Sequence, residues 1–271
     1  MPRLVWSVLA ALVLLCGCSG TQTPAARKSP RPKAEPVRPH APVVFMLGDS
    51  YTAGIPSVPP EETYAAETAR RLGWQVVIAG YAGTGFVARG RVGKDFAALF
   101  HAQLAWRPAP DMVVVSGGHN DRYPPARVRG AADRLLRDIR TRWPRSQVVL
   151  MGPLWGGDPP QRALLIRDVL RDAARTHQVP FVDPLAGRWI TGHIRRDTGN
   201  ARRYILRDGT HPNAAGNRYL ADRLVTELRA LGLDRPVLGR THVRGRHGQP
   251  AQPGQRTPRA SQRRPDGMPR P

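Results

Sequence analysis

Cysteine is nearly absent. The 271-residue chain has two, Cys16 and Cys18, and both lie in its first twenty residues. A domain built from the remainder has no disulfide framework, no cysteine-based zinc site, no iron–sulfur cluster and no cysteine nucleophile. Lysine is scarce as well: Lys28, Lys33 and Lys94 are the whole set, so the formal net charge of +22 is carried almost entirely by arginine. Several motifs are missing. There is no His-Glu-x-x-His or comparable metal spacing, and no Gly-x-Ser-x-Gly elbow of the α/β-hydrolase kind. The first glycine turn, Gly48-Asp-Ser-Tyr-Thr-Ala-Gly54, lacks the Gly-x-Gly-x-x-Gly that a dinucleotide fold places there. No internal repeat and no nucleic-acid fold signature occurs. The expectation is a protein with no metal and no cofactor, and with no specific nucleic-acid partner.

Proline (28) and glycine (27) are abundant, and half of the prolines lie in the two ends. Arg3, the apolar run Leu4 to Leu15 and the small residues after it form the three regions of a secretory signal peptide, residues 1–18. The run is too short for a comfortable membrane span, which takes about 20 residues. Residues 19–42 hold six prolines, five basic residues and one acid, Glu35, and read as an extended tether. Residues 235–271 hold seven prolines, five glycines and nine arginines against one acid, Asp266, and read as a disordered basic tail. More than half of the net charge therefore sits in the flanks. For an exported chain this favours anionic lipid headgroups or cell-wall polymers as neighbours over DNA or RNA. A tail that merely reflects biased composition is the alternative.

Between the flanks, residues 43–234 alternate short apolar runs with amphipathic segments. Pro42 to Leu47, Trp74 to Ala79, Met112 to Val115, Gln147 to Met151 and Val179 to Val182 read as buried strands. Helices are expected over Glu61 to Leu72, Asp95 to Trp106, Val128 to Trp143, Gln161 to His177 and Asn213 to Leu231. That alternation predicts an α/β domain with a parallel sheet covered on both faces.

In such a sheet, ligands bind at the carboxyl ends of the strands. Gly48-Asp49-Ser50-Tyr51 follows the first strand and Gly80-Tyr81-Ala82-Gly83-Thr84-Gly85 the second. Gly117-Gly118-His119-Asn120-Asp121 follows the third, and Asp208-Gly209-Thr210-His211 lies in the loop before the last helix. Taken one at a time, Ser50 is an ordinary turn residue, His211 a surface residue and Asn120 a cap. Together they are a set for acyl transfer. Ser50 needs a base, a neutral imidazole is suited to that task, and Asp208 can orient His211. Backbone N–H groups at Ser50 and Gly83 and the side-chain amide of Asn120 would form an oxyanion hole. Asp49 and Asp121 are expected to hold loops by hydrogen bonds, His119 to shape the pocket, and Trp155 and Trp189 either to line it or to pack elsewhere.

The order Ser, Gly, Asn, Asp-x-x-His after successive strands resembles the SGNH (GDSL) hydrolase family over roughly residues 43–232. Gly48-Asp49-Ser50 matches its first block, Gly118-His119-Asn120-Asp121 its third and Asp208 to His211 its fifth. The second block is looser: Ile78 stands where the family has Asn, and its essential glycine falls on Gly83, with Gly85 as fallback. Tyr51 replaces the family's common Leu. The resemblance implies a three-layer α/β/α sandwich, flavodoxin-like, with five parallel strands. It also implies a serine esterase with Ser50 as nucleophile, His211 as its base, Asp208 orienting that imidazole, and Ser50, Gly83 and Asn120 as oxyanion donors. Expected substrates are short-chain esters, including O-acetyl groups on carbohydrate. A non-catalytic envelope-binding protein and an acyltransferase stay open as alternatives. Leu15-Cys16-Gly17-Cys18 resembles a bacterial lipobox, which would make Cys18 the lipidated N-terminus of an extracytoplasmic lipoprotein; simple secretion is the alternative.

Overall fold

The computed structural model describes residues 40–239. The expected signal peptide 1–18 with Cys18, the tether up to residue 39 and the tail from residue 240 lie outside the described residues.

Five strands, β1 (Val43–Gly48), β2 (Gln75–Gly80), β3 (Met112–Ser116), β4 (Gln147–Met151) and β5 (Phe181–Val182), form one parallel sheet in the order β2-β1-β3-β4-β5. This is the doubly wound order of flavodoxin-like folds, whose chain reverses direction between β1 and β3. Among the described residues, seven α-helices run between and after the strands: α1 (Ser50–Ala53), α2 (Tyr64–Leu72), α3 (Phe96–Gln103), α4 (Pro125–Arg142), α5 (Gln161–Thr176), α6 (Ala201–Tyr204) and α7 (Ala214–Ala230).

Apart from Gln75, Ser116 and Gln147 at strand ends, the strand residues are apolar or glycine because both faces of the sheet are covered, so the period-2 alternation separates two cores rather than a core from solvent. Phe45, Leu47, Val113 and Val115 point to one face and pack with Leu99 and Phe100 of α3, Leu135, Leu136 and Ile139 of α4, and Ile166 and Leu170 of α5. Val44, Met46, Met112 and Val114 point to the other, against Tyr64, Ala65 and Ala69 of α2 and Leu220, Leu224 and Leu228 of α7. Trp189 joins this second core at 1% exposure, so it is core packing and not pocket wall.

Register matters most for function. Gly48 lies opposite both Gly80 and Ser116, Ser116 opposite Met151, and Met151 opposite Val182. All five carboxyl ends therefore align on one rim. Gly80, at φ +127°, has no room for a side chain: a Cβ there would collide with the Gly48 carbonyl. That lets the loops after β1 and β2 leave the sheet side by side.

Boundaries differ from expectation in places with local causes. Helix α4 starts at Pro125, three residues before the expected Val128, because proline suits the first helical position, where its missing N–H is no loss. Strand β5 is two residues rather than four; Pro180 offers its carbonyl to Leu150 but has no N–H for the ladder. Helix α3 ends at Gln103, and Trp106, expected inside it, is 66% exposed. The fold also runs past residue 234: Leu238 N–H donates to Asp111 at 2.9 Å and Gly239 N–H to the Arg145 carbonyl at 2.9 Å.

Candidate active site

Ser50 is the first residue of α1, directly beyond β1. Asp49 caps that helix, its Oδ1 accepting the Tyr51 N–H at 3.0 Å. Thr52 Oγ1 and the Tyr64 hydroxyl, 2.9 Å apart, tie the same short helix to α2. The nucleophile candidate is thus fixed from below and from the side.

Asp208 and His211 form a compact turn. Asp208 Oδ1 accepts the N–H groups of Thr210 (2.8 Å) and His211 (3.0 Å), and its Oδ2 lies 2.6 Å from Nδ1 of His211. Partial burial raises the Asp208 carboxyl, but the bonds from the His211 side chain and from the two N–H groups outweigh it, and the balance lies below the usual carboxylate range. The other ring nitrogen of His211, Nε2, is 2.9 Å from Ser50 Oγ. Serine, imidazole and carboxylate therefore form one continuous hydrogen-bonded chain, with the carboxylate fixing the tautomer that leaves Nε2 as acceptor for the serine proton.

The loop after β2 supplies the next part. Gly83 takes the left-handed backbone at φ +79°. Among the described residues, neither its N–H nor that of Ser50 has a protein acceptor, whereas the Gly85 N–H is spent on the Ala88 carbonyl at 2.8 Å. Gly83, not Gly85, has the donor to give. Asn120 donates one Nδ2 proton to the Thr84 carbonyl at 2.9 Å, which ties it to this loop and leaves a second amide proton. Asp121 beside it is 2% exposed and holds the loop from beneath, accepting Phe86 N–H at 3.0 Å, Val87 N–H at 2.8 Å and Ala88 N–H at 2.9 Å. Ser50, His211 and Asp208 are thus joined directly, while Gly83 and Asn120 lie in the loops after β2 and β3 and are tied to each other's loop through Thr84.

A row of rings runs away from His211. Tyr51 lies 5.8 Å from the His211 ring and 5.4 Å from that of His119, which in turn lies 4.2 Å from Trp155. His119 Nδ1 donates to the Leu154 carbonyl at 3.1 Å; burial, reinforced by Arg162, His211 and Arg122, pushes its pKa down to about 4. It is a neutral imidazole with a bare Nε2. Two clefts flank the rim. One of about 600 Å³ follows the open edge of β2, between Ile55, Ile78, Tyr81 and Trp106; another of about 290 Å³ lies between Arg122 and Arg162. Among the described residues no group of three His, Cys, Asp or Glu side chains could hold a metal ion, and no helix is long and apolar enough to cross a membrane.

The GDSL-like lipase/acylhydrolase family model matches residues 46–219. The chain belongs to that family. It is 32% identical over 195 residues to a GDSL lipase of Mycobacterium tuberculosis, covering 67% of this chain and 79% of that one. Among solved structures it is similar to a family two carbohydrate esterase from Clostridium thermocellum in complex with cellohexaose, with a TM-score of 0.56 and 20% identity. That match covers 72% of this chain and 66% of the other, just under two thirds of its length. It is also similar to the acetylxylan esterase Axe2 from Geobacillus stearothermophilus, with a TM-score of 0.52, 20% identity and coverage of 69% and 94%. As a GDSL family member the chain is a carboxylic ester hydrolase, and the five-stranded parallel sheet is the family fold.

Proposed function

We propose that the protein is an exported serine esterase that removes short acyl groups from a polyhydroxylated alcohol, with O-acetylated carbohydrate as the favoured class. The observation that carries the mechanism is the unbroken chain Ser50 Oγ, His211 Nε2, His211 Nδ1, Asp208 Oδ2, with links of 2.9 and 2.6 Å. Ser50 attacks the ester carbonyl while His211 takes its proton. The negative charge that develops on the carbonyl oxygen meets the N–H groups of Ser50 and Gly83 and the amide of Asn120. Collapse expels the alcohol, which leaves with the proton from His211. Water, activated by the same imidazole, then hydrolyses the acyl-Ser50 ester and regenerates the enzyme.

Support for a sugar-like alcohol comes from the wall beside His211. The half-buried Trp155 indole and the bare Nε2 of His119 suit a molecule with apolar ring faces and hydroxyl edges better than a hydrocarbon chain. The carbohydrate esterases among the structural neighbours agree with it. Export rests on residues 1–18, with Cys18 as the lipid attachment site; Cys18→Ser would release the protein from the membrane fraction.

Hydrolysis of 4-nitrophenyl esters from acetate to dodecanoate by the full chain tests the reading. Turnover should concentrate on the short chains and fall by about 10⁴ or more in Ser50→Ala. Asn120→Ala should cost about 10²–10³ in kcat with KM little changed. Retained turnover in Ser50→Ala would overturn the mechanism.

A further inference from the structure

The ring row that begins at His211 leads to a charged group. Beyond Trp155 stands Arg162, its guanidinium carbon 4.9 Å from the indole centroid. Across a cleft of about 290 Å³ stands Arg122, two residues beyond Asn120, with Tyr123, Pro125, Leu165 and Ile166 between them. The two guanidinium groups are close enough to feel one another: partial burial, and then the neighbouring Arg122, lower the proton affinity of Arg162. Both also act on His119.

Neither arginine has a carboxylate partner among the described residues, and the contrast along α5 is sharp. Its other arginines are all paired, Arg167 with Asp168 and Asp183, Arg171 with Asp168 and Arg175 with Asp172. Only the one at the active-site end is left without an acid. Asp121 also lines this cleft, but it is 2% exposed and both its oxygens accept N–H groups of the Phe86–Ala88 loop, so it makes no ion pair with either arginine. Because His119 is neutral, the arginines are the charge of this wall. Two like charges facing one cleft are stabilised by an anion between them, and paired guanidinium forks match the oxygens of a carboxylate or phosphate.

The side of the substrate follows from the chemistry. The departing alcohol must receive its proton from His211 Nε2, so the alcohol half lies against the wall that starts at the His211 ring. We infer that Arg122 and Arg162 form a subsite for an anionic oxygen group, a carboxylate or a phosphate, carried by the alcohol half of the ester, so that the preferred substrates are O-acylated acidic sugars. This deepens the esterase reading above and rests on it for the turnover arm of its test.

Acetate release by the full chain is measured from O-acetylated methyl glucuronoside, O-acetylated methyl glucoside and its O-acetylated 6-phosphate. Separately, binding of the unacetylated methyl glucuronoside, methyl glucoside and methyl glucoside 6-phosphate is measured by calorimetry. The expected result is a kcat/KM at least about tenfold higher for an acidic ester than for the neutral one, falling towards unity in R122Q/R162Q and partly kept in R122K/R162K, which hold the charge without the fork. Preference for the uronoside assigns a carboxylate, and preference for the phosphate assigns a phosphate. Equal rates on acidic and neutral esters, or a preference unchanged in R122Q/R162Q, would overturn the subsite. If no ester is turned over, the esterase reading fails, and calorimetry still decides: tighter binding of either acidic glycoside that R122Q/R162Q abolishes upholds the subsite, and equal binding of acidic and neutral glycosides refutes it.

Discussion

The Tyr51 hydroxyl donates to the Thr210 carbonyl at 2.6 Å, joining the residue after Ser50 to the residue before His211 across 159 positions of chain. The Ser50–His211 hydrogen bond therefore has a second strut beside it. Tyr51 is 2% exposed, and its ring is wedged between those of His119 and His211.

Tyr51→Phe keeps the ring and removes the strut. The lost hydrogen bond should cost about 1 kcal/mol of stability. The larger effect should be on the reaction, because small displacements of a reacting pair are costly. We expect kcat for 4-nitrophenyl acetate to fall about tenfold with KM unchanged, as befits a positioning residue. A variant that loses stability but keeps kcat would show that Tyr51 only packs.

Those two residues also mark the limit of what the chain reveals before it is folded. Asp208 and His211 are legible because their link is local: the aspartate bonds the N–H groups two and three residues on, and its second oxygen meets the imidazole of the same turn. Ser50, Gly83 and Asn120 are legible because each follows an apolar run in a glycine-rich turn, where a parallel sheet puts its ligands. Tyr51 to Thr210, His119 against Trp155, and Arg122 across a cleft from Arg162 join segments that only the finished sheet brings together. Nothing in the local pattern separates Trp155, at the site, from Trp189, in the core. The four-residue helices α1 and α6 are too short to show a helical period at all.

Asp121 makes a different kind of prediction, because it supports the site without facing it. Asp121→Ala would leave the buried N–H groups of Phe86, Val87 and Ala88 without an acceptor, at about 1–3 kcal/mol each. A loss of roughly 3 kcal/mol or more in urea unfolding is expected, together with a loss of activity, since the same loop carries Gly83. Gly85→Ala should mimic it, because a Cβ there would lie 2.5 Å from the Asp121 carboxylate. Asp121→Asn, which keeps one acceptor oxygen, should fall between wild type and Asp121→Ala. Equal stability of all four proteins would show that the loop does not depend on this carboxylate.

The last prediction concerns pH. Asp49 is 3% exposed, and burial pushes its carboxyl from 3.8 up to about 7, against the pull of the Tyr51 N–H and with a further push from Asp121. Between those two values the folded chain holds a proton that the unfolded chain has released. This contribution to stability is whole below pH 3.8 and is lost as pH rises through about 7. His119 acts with the opposite sign: its pKa drops from 6.5 to about 4 on folding, so its contribution is present above pH 6.5 and is lost as pH falls through about 4. Asp49→Asn keeps the oxygen that caps α1 and leaves His119 in place. Melting temperature measured from pH 4 to pH 9 should therefore show wild type losing several degrees relative to Asp49→Asn between about pH 4 and pH 7, with the two curves running parallel above about pH 8. Curves parallel over the whole range would mean that Asp49 stays ionised in the folded protein, and that its bonds to backbone N–H groups outweigh its burial.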